Sequence, residues 1–206
     1  MRVVRTIVAV MFAATIAVTG CTTHSSTDRP SPAPPAPDTT HAFRAPTHRP
    51  DTTNLNPVDR RTSIYAAVLR QYLTSGDHSF GRHRFPRIFV LDRAVAGTGA
   101  HTRVAAGGDE PIPPAVQRAI TQALIDVGPL TFVASPKAVI EEPDGCAHVR
   151  DEGILITLAP LIGVGDRVEV GINGFVACLG ASSVTYALER TQAGWVVHDT
   201  TLGAVS

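Results

Sequence analysis

The chain has 206 residues, with 18 basic and 18 acidic side chains and a single lysine, Lys137. A formally neutral chain lacks the electrostatic footprint that nucleic acid or an anionic membrane surface would need, so no nucleic-acid partner is expected. Once the unpatterned stretch described below is set aside, about 150 residues remain, the ordinary size of one domain with one core.

Arg2 and Arg5 precede an apolar run of 12 residues at positions 7–18. This is the charged opening and apolar middle of an export signal, and it is too short to span a bilayer, which takes roughly 20 residues. The run ends in Val18-Thr19-Gly20-Cys21. These four residues resemble the lipobox of bacterial lipoproteins, with Val18 at the apolar position usually held by leucine. The resemblance implies cleavage before Cys21 and a diacyl modification of its thiol. Two acyl chains suffice for stable anchoring where one is marginal. The expected address is therefore the extracytoplasmic face of a bacterial cell membrane, with the membrane a partner through the lipid on Cys21. Loss of Arg2 and Arg5 would leave 16 basic against 18 acidic side chains, a net charge of −2.

Residues 22–57 contain eight prolines and no hydrophobic periodicity. The run Pro30-Ser31-Pro32-Ala33-Pro34-Pro35-Ala36-Pro37 is stiff and PPII-like, because each proline fixes its own φ and restricts its neighbour. Such a stretch cannot bury enough apolar surface to offset its ordering entropy, and it reads as a disordered tether. Fully extended, its 36 residues would reach about 110 Å. The expected organisation is a signal at 1–20, a lipidated cysteine and tether at 21–57, and one α+β domain at 58–206.

Within that domain Ile64, Tyr65, Val68, Leu69 and Tyr72 recur at helical spacing, with Asp59 as N-cap and Gly76 just past the end. Residues 87–92 predict a short buried strand, and 97–111 a glycine-rich polar loop that lacks the third glycine of a dinucleotide fingerprint. Pro113 and Pro114 suit the first turn of a second helix. Its apolar face is Val116, Ala119, Ile120, Ala123, Leu124 and Val127, and Gly128-Pro129 stops it. Further strands are expected at 130–133, 154–158, 167–179, 183–190 and 195–199, with Gly174 marking a bulge or bend and 141–153 a polar connection. Alternation in Val168, Val170 and Ile172 and in Val184, Tyr186 and Leu188 buries one sheet face, under the helices.

The fold class is thus α+β, two helices on a curved, mainly antiparallel sheet of about five to six strands. The order helix, strand, helix and then several strands, closing with Tyr186-Ala187-Leu188-Glu189-Arg190 and Gly194-Trp195-Val196-Val197, resembles ketosteroid-isomerase-like cone domains. That resemblance implies a sheet able to enclose a pocket.

Asp144-Gly145-Cys146-Ala147-His148-Val149-Arg150 resembles the Ser-x-Gly-Cys-x-Arg segment of L,D-transpeptidases, envelope enzymes with a nucleophilic cysteine. It departs from that pattern at Asp144 and in the position of Arg150. A nucleophilic Cys146 would need a lowered pKa and an oriented base, for which His148 is the neighbour. The simpler expectation is a Cys146–Cys178 disulfide, since an even pair remains once Cys21 is lipidated and the compartment is oxidising. If Cys178 keeps the strand parity of Val168 to Val176 it sits on an apolar face, and the 141–153 segment folds back over it. Asp77, His78 and His83 form a loop group read as exposed histidines, and His198-Asp199 as edge decoration. No metal set, cofactor motif or catalytic group is assigned. The expected role is a non-enzymatic, lipid-anchored binding or accessory domain for an envelope protein or small ligand. The alternative is an envelope enzyme with a cone pocket or a catalytic Cys146.

Overall fold

The computed structural model describes residues 56–81, 84–100 and 108–205. The signal segment, Cys21 and all but the last two residues of the tether lie outside the described residues, as do His83 and residues 101–107 of the glycine-rich loop.

Helix α1 runs Pro57–Ser75. Its N-cap is Asn56, whose side chain accepts from the Val58 amide, rather than Asp59. Pro57 explains the shift: with φ fixed and no N–H it occupies the first helical position, so the cap must precede it. Asp59 lies in the first turn, and Gly76 ends the helix in the left-handed region as expected. Helix α2 spans Pro114–Ala123 and is shorter than the apolar pattern implied. Leu124 caps it, and Val127 and Gly128 turn back to bond the Leu124 carbonyl, so Leu124 still packs inward without being helical.

Among the described residues the sheet has nine strands, more than the five to six expected, because three of them hold only two residues. The strands are β1 (Ile88–Ala94), β2 (Glu110–Pro111), β3 (Leu130–Val133), β4 (Ile140–Glu141), β5 (His148–Val149), β6 (Ile154–Leu158), β7 (Arg167–Ala177), β8 (Gly180–Thr191) and β9 (Gly194–Val205). Strands β2, β4 and β5 are too short to show periodicity, which is why their segments read as polar connections. β1 is central: β3 and β6 flank it in parallel, and β2 pairs antiparallel with its last residues. From β6 the sheet continues antiparallel through β7, β8 and β9 and curls into a half-barrel. The strand expected at 195–199 runs on to Val205, past a register shift opposite Ala187 and Leu188.

Both faces of the central strands are buried, by two different covers. Ile88, Val90, Ile154, Ile156 and Leu158 join Ile64, Val68, Leu69, Ile120 and Val170 in the main core beneath α1 and α2. Phe89, Leu91 and Leu155 point the other way and form a smaller core with Val139 and Val149. The 136–153 segment is therefore a flap over the second face, with the Arg150 guanidinium 5.4 Å from the Phe89 ring. The far end of that face is crossed by residues 95–100. A Cβ at Gly171 would overlap the Thr98 carbonyl, the Gly99 amide donates to Asn173 Oδ1 at 2.9 Å, and the Ala100 amide donates to Thr185 Oγ1 at 3.0 Å.

Candidate functional site

The space that a cone-shaped sheet could leave hollow is filled. Ile64, Tyr65, Val68, Leu69 and Tyr72 of α1 and Ile172, Val184 and Tyr186 of the sheet are all fully buried against one another. Their polar atoms are spoken for: Tyr65 Oη donates to the Ala159 carbonyl at 3.1 Å, and Tyr72 Oη to the Ser182 carbonyl at 3.5 Å. Burial pushes the Tyr72 phenol up to about 12 and raises Tyr65 and Tyr186 as well, so all three are neutral donors at any physiological pH.

Polar side chains gather at the C-terminal end of α1. The Asp77 carboxylate accepts from Gln71 Nε2 at 2.9 Å and from Tyr186 Oη at 3.5 Å, and the Asp77 amide donates to Ser75 Oγ at 3.1 Å. His78 was expected to be an exposed loop histidine, yet it is 4 % exposed. Its ring centre lies 4.8 Å from Tyr72 and 5.3 Å from Phe80, and its neighbour Phe85 meets Phe80 edge to face. Burial lowers the His78 pKa, outweighing the pull of Asp77 and nearby backbone. Aromatic neighbours on both sides of the Gly76 turn draw the imidazole inward; loop composition alone gives no hint of that.

Gly174 is a further correction. It pairs regularly with Ile156 and Ser182, and the register shift falls after it, between Phe175 and Ala177. Its missing Cβ instead makes room for the Tyr72 ring and hydroxyl. Sequence reading missed Tyr72, Ser182 and Tyr186 as a polar group. The available signal was that a tyrosine at a core position must find a partner for its hydroxyl.

Cys146 and Cys178 lie in disulfide contact, with Cα atoms 5.5 Å apart. The register shift after Phe175 ends β7 at Ala177, so Cys178 lies in the exposed turn before β8 and not on an apolar face. Cys146 is also exposed, and the link ties the flap to the end of β7 beside the single β5–β7 pair, His148 with Ala177. His148 Nε2 lies 3.7 Å from Glu141, and its Nδ1 lies 3.5 Å from the Cys146 carbonyl, so the ring is directed to groups other than the sulfur. Asp199 accepts from the Thr200 amide at the exposed edge, and no cluster of three metal-ligating side chains exists among the described residues. No family model, curated protein or solved structure matches the chain.

Proposed function

We propose that this is a lipid-anchored accessory protein of the bacterial cell envelope that works by binding a protein partner on the extracytoplasmic side, without catalysis. The observation that carries the reading is the filled interior: buried tyrosines and aliphatic side chains occupy the space a small-molecule pocket would need. The pairing of Cys146 with Cys178 supports it, since a sulfur held in a disulfide is not a thiolate nucleophile. The anchor rests on Val18-Thr19-Gly20-Cys21 and the apolar run before it. With a net charge of −2 after processing, the domain has no general attraction to anionic lipid, which leaves the acyl chains to hold it at the membrane.

The test is metabolic labelling with a clickable fatty acid in a bacterial host, followed by fractionation. Wild type carries label and sediments with membranes, whereas Cys21→Ala loses the label and leaves the membrane fraction. Label and membrane retention in the variant would end the anchor assignment. Free, alkylatable Cys146 and Cys178 in protein recovered from the envelope would remove the support for a non-catalytic role and return Cys146 to candidacy as a nucleophile.

A further inference from the structure

Gly76 (φ 79°) and Gly81 (φ 65°) both hold left-handed backbone, and they bracket residues 77–80. A Cβ at Gly81 would meet nothing within 4 Å, so the outer bracket is unpacked. Between these two pivots His78 turns inward, lying 4.8, 5.3 and 6.4 Å from the rings of Tyr72, Phe80 and Phe85. Its Nδ1 accepts from the Phe80 amide at 3.2 Å, which places the proton of the neutral ring on Nε2. Among the described residues, the buried Nε2 has no hydrogen-bond partner. A buried donor left unsatisfied is destabilising, so the closed arrangement already carries a penalty.

Protonation makes that arrangement untenable on geometric grounds. The imidazolium has no acceptor nitrogen, so the Phe80 amide loses its partner and meets a second donor at Nδ1. Among the described residues, the titratable groups around the ring are few. Asp77 belongs to the same segment, and its carboxylate already accepts from Gln71 and Tyr186. Tyr72 from α1 and Tyr186 from β8 stay neutral. Arg70 and Arg84 line the surface groove that shares Phe85, and Arg70 is paired with Asp126. Burial dominates the balance at His78 and favours the uncharged ring.

We infer that residues 77–80 form an acid-released stopper: neutral His78 seals the end of the interior over Tyr72 and Tyr186, and its protonation swings the segment outward on Gly76 and Gly81. Released, the imidazole is solvated and titrates near its ordinary value of about 6.5, whereas the sealed form resists the proton. The open population therefore grows by up to about tenfold between pH 7.5 and pH 5.5.

Hydrogen exchange on the full-length chain in detergent tests this at the two pH values, with rates corrected for the intrinsic pH dependence of exchange. Protection in the peptide covering residues 75–81 should fall by about tenfold in wild type at pH 5.5, while β1 keeps its protection. His78→Phe, which keeps the aromatic fill, should change less than twofold. Equal loss in the variant, no loss in wild type, or parallel loss in β1 would overturn the stopper. Should His78→Phe fail to fold, wild type decides by itself: loss of exchange protection confined to residues 75–81 that follows the NMR titration of the His78 ring between pH 7.5 and 5.5 upholds the inference, and loss that does not follow it, or no loss, refutes it.

Discussion

Gly174→Ala tests the packing that closes the interior. A Cβ at this position would overlap Tyr72 Oη and would stand 3.0 Å from both Tyr72 Cε1 and Ile154 Cδ1. Neither neighbour can yield freely: Tyr72 and Ile154 are fully buried, and Tyr72 reaches the Ser182 carbonyl only from its present position. Two costs follow. Forcing a methyl into a packed core costs about 1–3 kcal/mol, and displacing the Tyr72 hydroxyl from its acceptor leaves a buried donor unsatisfied for about 1–3 kcal/mol more. The expected loss is thus about 2–6 kcal/mol, or roughly 5–20 °C in melting temperature for a domain of this size. Equilibrium urea unfolding, with the slope checked for constancy, measures it. The decisive control is Tyr72→Phe, which removes the colliding oxygen and by itself costs about 0.5–1.5 kcal/mol. In the double variant the loss should be less than the sum of the two single losses by at least about 1 kcal/mol, because the phenyl ring leaves space beside the new methyl. Gly174→Ala within about 0.5 kcal/mol of wild type, or strict additivity with Tyr72→Phe, would refute the claim that this glycine exists to admit the tyrosine.

Intact-mass analysis of the protein recovered without reductant should find it two hydrogens lighter than its reduced form, with a linked Cys146 and Cys178 peptide after digestion. A paired Cys146→Ala and Cys178→Ala variant should lose up to about 4 kcal/mol by urea unfolding, given the 32-residue separation that the link closes. Gly171→Ala should be at least as damaging as Gly174→Ala and should resist rescue by side-chain trimming, since the obstacle is the Thr98 main chain. Tyr65→Phe, which deletes the bond to the Ala159 carbonyl, should cost about 0.5–1.5 kcal/mol in the same assay. For pH, the folded state holds His78 below its unfolded value of about 6.5, so the unfolded chain binds the extra proton first. Wild-type stability should therefore decline as pH drops below about 6.5, and His78→Phe should flatten that part of the profile.

The sequence by itself determined the elements whose signals are local. Ile64 to Tyr72 repeat at helical spacing and are the buried face of α1, and Gly76 ends that helix because a left-handed residue was needed there. Leu130–Val133 and Ile154–Leu158 were readable to the residue, since short apolar runs between turn residues have few alternatives. The cysteine pairing was legible for a different reason: with Cys21 expected at the lipid anchor, Cys146 and Cys178 had only each other. Tertiary structure alone decided how these pieces meet. Whether Val139 and Val149 cover Phe89 depends on a flap returning over the second face, a contact with no periodic trace in the chain. Gly174 looked like a bulge because a strand glycine means either local bending or close approach, and only the position of Tyr72, about a hundred residues away, distinguishes them. Cys178 left the apolar face because β7 ends at Ala177, just past the register shift, and leaves Cys178 in the turn before β8. His78 shows the same limit most plainly. Loop composition placed it in water, and the rings of Tyr72, Phe80 and Phe85, which converge only in the folded chain, placed it in the interior.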